Sequence, residues 1–139
     1  MGIRLIVRLG AVLAISGLSA CPQRTAVWVV QPATTTNLTF ALGRVRGKEE
    51  PVRLYYLSIS HCGSQGQAGQ RPIWMIGERP AGPPATAVRI RYGEVPPGFE
   101  VRGPPGALAP GCYVADIGGS GTTEFDVGPT GAVTEHVRP

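Results

Sequence analysis

The sequence predicts an all-β fold, a single antiparallel β-sandwich of seven to nine short strands in two packed sheets. Three observations carry this expectation. Apolar residues recur with period two in Leu38, Phe40 and Leu42, in Val88, Ile90 and Tyr92, and in Phe125 and Val127 after Thr123, the alternation of strands with one buried face. Turn-forming clusters of Gly and Pro, drawn from 20 Gly and 14 Pro, separate these runs at intervals of about ten residues. Beyond the leader, no stretch resembles a long helix.

The chain opens on that leader. Arg4 and Arg8 precede an apolar, small-residue run from Leu9 to Gly17, the layout of a secretory signal peptide. The uninterrupted apolar stretch from Leu9 to Ala20 is about 12 residues, short of the roughly 20 that a membrane-crossing helix needs. Leu18, Ser19, Ala20 and Cys21 close the leader. A leucine three positions before a cysteine, with two small residues between, resembles the lipobox of bacterial lipoproteins, matched here at all four positions. The resemblance implies a diacylglyceryl group on the Cys21 sulfur, cleavage between Ala20 and Cys21 by a lipoprotein signal peptidase, and a new amino group open to acylation by a fatty acid such as palmitate. The organisation expected is a signal peptide over 1–20, a lipidated tether over 21–26 and a sandwich over 27–139. Two or three acyl chains would anchor that domain firmly, since each buried methylene contributes about 0.8 kcal/mol. Pro22 occupies the place where the lipoprotein sorting rule sets an inner-membrane aspartate. The resemblance therefore implies the outer membrane, with the domain facing the periplasm.

Val27, Trp28, Val29 and Val30 form the first apolar run, and Thr36 to Leu42 the first alternating strand. The segment from Gly43 to Pro51 carries Arg44, Arg46, Lys48, Glu49 and Glu50 and reads as a hairpin tip. It is either a solvated turn that guards a neighbouring edge or a cationic finger for lipid headgroups or cell-wall polymer, diluted by its glutamates. Val52 to His61 is the longest strand signal, and apolar residues on both parities predict a central strand. The Gly- and Gln-rich stretch 63–70 is a loop. Pro72 to Glu78 follows, with Trp74 as a core plug. In the next strand Arg89 and Arg91 face away from Val88, Ile90 and Tyr92. Prolines then punctuate the short run Phe99 to Val101, and the glycines from Gly118 to Gly121 turn the chain into Thr122 to Val127. Ala132 to Val137 is the last strand.

Leu108, Pro110, Gly111 and Tyr113 stand in an order that resembles the tyrosine corner of fibronectin type III and related immunoglobulin-like sandwiches. The resemblance implies that the Tyr113 hydroxyl bonds back to backbone a few residues upstream and pins the connection between sheets. Cys112 and Tyr113 are adjacent, so they point to opposite faces, whereas immunoglobulin domains set the corner tyrosine two residues before the cysteine, so that both point the same way. A disulfide here differs from the antibody one. With Cys21 given to lipid, Cys62 and Cys112 form an even pair in a chain bound for an oxidising compartment, where pairing is the default.

Composition excludes several functions. Without Arg4 and Arg8, the thirteen basic residues become eleven against nine acidic ones, so the mature part is near +2. It has no long basic stretch of the kind a nucleic-acid footprint requires. Two distant cysteines and two histidines do not make the four closely spaced ligands of a zinc site, and no cofactor is expected. Gly118 to Gly121 lacks the lysine and helix of a phosphate cradle. His61–Cys62 has a faint likeness to the histidine region of chymotrypsin-type proteases, without a matching nucleophile segment. Glu49 with Glu50, or Asp116 with Glu124, reads as solvated charge.

The function expected is that of a membrane-anchored, non-enzymatic envelope lipoprotein that binds an envelope protein or cell-wall component through loops or a strand edge. Arg44, Arg46, Lys48, Arg89 and Arg91 are its candidate binding residues. A small envelope hydrolase or metal-binding protein is the alternative from another class, and only His61, Cys62 and Asp116 could serve it. An accessory lipoprotein of a secretion machine is a third, with no motif that marks it.

Overall fold

The computed structural model describes residues 24–64, 67–118 and 120–137. Cys21 and the leader lie outside the described residues. Those described are all-β and helix-free, in curled antiparallel sheets of general sandwich type. The expected two sheets are three, and the strands number twelve among the described residues. A three-stranded sheet runs β1 (Ala26–Val29), β3 (Thr39–Gly43), β8 (Arg89–Arg91). A seven-stranded sheet runs β2 (Ala33–Thr34), β12 (Ala132–His136), β11 (Thr122–Val127), β10 (Gly111–Asp116), β5 (Tyr56–His61), β6 (Trp74–Glu78), β9 (Phe99–Gly103). The pair β4 (Val52–Arg53) and β7 (Thr86–Ala87) completes it.

The larger count comes from breaks that local pattern hides. The long signal from Val52 to His61 is two strands: β4 pairs with β7, whereas β5 joins the large sheet between β10 and β6. Val52 and Leu54 are buried, then Leu57 and Ile59, so the buried parity changes across exposed Tyr55. The apolar residues on both parities thus mark a change of sheet, although β5 is interior as expected. The strand expected from Thr36 begins instead at Thr39. The Asn37 side-chain oxygen accepts from the Thr34 amide at 2.6 Å, the local bond by which asparagine favours a turn over a strand.

The segment after Gly43 is not the tip of a simple hairpin. It makes a small turn, with the Lys48 amide donating to the Val45 carbonyl at 3.1 Å, then leaves the three-stranded sheet for β4. A Cβ on Gly43 would run into the Lys48 carbonyl, so this return requires glycine.

Facing side chains close the sandwich. Phe40 of the small sheet meets Phe125 of the large one at 5.8 Å between ring centres, and Phe125 stacks on Tyr113 at 5.6 Å. Trp74, fully buried, meets the Tyr92 ring edge-on at 5.0 Å. Large aromatic side chains bury the most area per residue and dominate such cores. The Tyr113 hydroxyl donates to the Ala109 carbonyl, four residues upstream, at 2.6 Å. A bond of this kind contributes about 1 kcal/mol net, and here it ties the Leu108 to Gly111 connection to the core.

Cys62 and Cys112 form a disulfide with Cα atoms 5.4 Å apart. Cys62, the residue after β5, stands beside Cys112 of β10, and its amide donates to the Cys112 carbonyl at 3.0 Å. The bridge therefore staples neighbouring strands of one sheet, unlike the inter-sheet bridge of antibody domains.

Candidate functional site

Strand direction divides the domain into two ends. At one end β1 begins: Ala26 pairs with Gly43, so Thr25 lies beside Arg44, and the Thr25 amide donates to the Ser120 carbonyl at 3.3 Å. β10 finishes there too, and Gly118 packs against Tyr55 and Tyr56. At the other end are His61, Cys62, Cys112 and the loop after β5. The six residues of β5 put about 20 Å between the ends.

The cationic residues singled out by sequence do not form one free patch. The Arg89 guanidinium donates twice to Glu49, both at 2.7 Å. That bond holds the Glu49 carboxyl below its ordinary range and raises Arg89. Arg46 makes a two-pronged pair with Glu135 at 3.0 and 2.5 Å. Arg91 donates to the Thr36 carbonyl at 2.8 Å and reaches Glu94 at 3.5 Å. Arg44 stands 3.8 Å from Glu50. Only Lys48 of the five has no carboxylate partner among the described residues. Two of these pairs clamp the loop after β3, Arg89–Glu49 onto β8 and Arg46–Glu135 onto β12, and Arg44–Glu50 closes the loop on itself.

The structure brings Arg53, Tyr55 and Glu78, which the sequence did not single out as functional, together with Arg44, which it did. Arg44 and Arg53, with Thr25, Pro51 and Val52, line a hollow of about 270 Å³ where the chain enters the domain. The Arg53 guanidinium lies 4.7 Å from the Tyr55 ring centre and donates to Glu78 at 3.2 and 3.5 Å. Glu78 also accepts from the Ala85 amide at 3.0 Å. The Arg53 bond first, then the Ala85 amide, holds the Glu78 carboxyl below its ordinary range. A carboxyl with a lowered folded value stabilises the fold above its unfolded value, about pH 4.5, and loses that contribution as pH falls through the lowered one. Urea midpoints measured from neutral pH to about pH 3 should therefore fall more steeply for the natural protein than for Glu78→Gln. Identical acid slopes would contradict this assignment.

A second polar feature lies on the outer face of the large sheet. Tyr56, Ser58 and Ser60 of β5, Asp116 of β10 and Met75 of β6 line a depression of about 220 Å³. It adjoins one of about 430 Å³ between Arg71, Met75 and Arg102. Burial first, then the Asp116 charge and hydrogen bond, raises the Tyr56 hydroxyl. A Cβ on Gly77 would run into the Arg102 side chain, which crosses that glycine to reach the Glu78 carbonyl at 3.0 Å. This floor offers hydrogen-bonding groups of both signs.

The enzyme candidates do not converge. Asp116 pairs with Ser58 and His61 with Tyr113, three residues apart along the ladder and on opposite faces, about 10 Å by strand rise. The His61 ring lies over Tyr113 at 4.9 Å, and Cys62 is oxidised. Glu124 pairs across from Val114, not Asp116, and its carboxylate is 3.9 Å from His136. Among the described residues, no three metal-binding side chains cluster. Comparison with family models, with curated proteins and with solved structures gave no match.

Proposed function

We propose that this protein is a lipid-anchored, non-enzymatic binding module of the bacterial cell envelope, held through Cys21 at the outer membrane and facing the periplasm. The observation that carries the reading is the leader ending in Leu18, Ser19, Ala20 and Cys21. The Cys62–Cys112 bridge supports it. It leaves Cys21 as the one cysteine without a thiol partner, and bridges of this kind belong to chains that leave the reducing cytosol.

The finer fold reading is an immunoglobulin-like sandwich. If β1, β3, β5, β6, β8, β10 and β11 are taken as strands A, B, C, C′, E, F and G, the sheets order as A-B-E and G-F-C-C′, the partition that such domains share. The Tyr113 to Ala109 bond supports the corner. β2 and β12 then extend the G edge beyond that plan. Such a frame offers loops at two ends and one open sheet face, and the polar depression around Ser58 and Asp116 is the surface we assign to an envelope protein or cell-wall partner.

The test is made in cells. The natural chain should yield a mature form starting at acylated Cys21, seen by mass spectrometry and by fatty-acid incorporation. Cys21→Ser should accumulate as precursor without label. An unmodified Cys21, or unchanged processing of the serine variant, would overturn the reading.

A further inference from the structure

We infer that the end of the sandwich where the chain enters is a membrane-facing surface, and that its arginines take the phosphate headgroups of anionic phospholipid. The inference rests on the lipid-anchor reading and adds which face meets the bilayer, and through which residues. Reach is the first argument. Thr25 is four steps along the chain from Cys21, and an extended chain spans at most about 3.6 Å per step, so backbone tethers this end within about 14 Å of the acylated residue. The disulfide end lies a full strand length farther away.

Charge is the second. The guanidiniums stand outside their carboxylates: the Arg53 side chain is 47% exposed against 17% for Glu78, and Arg44 62% against 30% for Glu50. Arg24, at the end of the tether, is also exposed. An approaching bilayer therefore meets the cations first, with the acids behind them. Guanidinium pairs with phosphate through parallel hydrogen bonds, and a basic residue near an anionic surface shifts the equilibrium about fivefold.

Apolar contact is the third. Tyr55 is 59% exposed beside Arg53, and tyrosine is a residue that settles at the membrane–water interface. Exposed Val45 lies between Arg44 and Arg46 in the loop that leaves this end. A ring beside Arg53 and an apolar tip next to Arg44 fit a headgroup layer better than they fit free solvent.

The experiment uses mature acylated protein reconstituted into vesicles of phosphatidylcholine, with or without phosphatidylglycerol, and brominated lipids as quenchers. Trp28 and Trp74 are buried, so Tyr55→Trp provides an interfacial reporter, and Gln67→Trp one at the disulfide end. Melting curves establish that both variants fold. Tyr55→Trp should be quenched in the anionic vesicles and Gln67→Trp should not. Adding salt, or Arg44→Gln, should weaken docking, the latter lowering its equilibrium constant about fivefold. Quenching that is equal without phosphatidylglycerol, quenching of Gln67→Trp alone, or quenching of neither overturns the inference. Retention of this end on purified cell-wall sacculi with Tyr55→Trp unquenched overturns it as well. Mass analysis of the protein isolated from cells separates the two readings: acylated protein that floats with the vesicles but is not quenched defeats only this inference, whereas protein isolated without an acyl group defeats the anchor, and this inference with it.

Discussion

Replacing both Cys62 and Cys112 by serine is expected to destabilise the domain by about 2–5 kcal/mol, a drop in Tm of roughly 10–20 °C at this size. The bridge spans 50 residues of sequence, and closing a loop of that length removes unfolded-state entropy worth about 4 kcal/mol on the chain-entropy model. Its folded geometry needs little reorganisation when the bond is lost, because the Cys62 amide and Cys112 carbonyl are already partners in the ladder. The loss should therefore appear as a lower urea midpoint with an unchanged far-ultraviolet spectrum. A change below about 1 kcal/mol would show that the denatured chain is already compact enough to make the link redundant.

Arg46→Ala is expected to cost about 2–3 kcal/mol, somewhat less than for a wholly buried pair because Arg46 itself is partly open to solvent. Its partner is the reason. Only 5% of the Glu135 side chain is exposed, and besides the two guanidinium bonds it accepts the hydroxyl of buried Thr123. Removing the arginine strands a carboxylate against the core. Glu135→Gln should relieve much of the loss, and a double-mutant cycle with Arg46→Ala and Glu135→Ala should show coupling of about 1.5–3 kcal/mol. Arg91→Ala supplies the contrast: its ion pair with Glu94 is exposed on both sides, and such pairs are worth at most about 1 kcal/mol. Equal effects at Arg46 and Arg91 would contradict the assignment of Glu135 to the interior.

Neither Glu135 nor Glu78 stands out in the sequence. Glu135 occupies the inward side of β12 and looks like an ordinary strand glutamate, and its cation is 89 residues away. Glu78 ends an apolar strand, and Arg53 is 25 residues away. The arginines that sequence did single out are present at the surface, but their glutamates fold onto them from loops and facing strands. A list of charges contains no such distances. By contrast, Tyr113 was legible because its partner, Ala109, is only four residues upstream, and the cysteine pair was legible by counting.

By itself the sequence determined the all-β class, most strand positions, the half-buried face carrying Ile90, the Pro and Gly turns and the disulfide partners. Each of these follows from local period, local backbone preference or a parity count. Only the tertiary structure decided that Val52 to His61 splits between two sheets, that the loop after Gly43 is clamped by ion pairs to β8 and β12, and that Arg44, Arg53 and Tyr55 gather where the chain enters. Period two records that one face of a strand is buried, but it carries no information about which distant strand buries it. That choice is made by the summed packing and pairing of residues tens of positions apart.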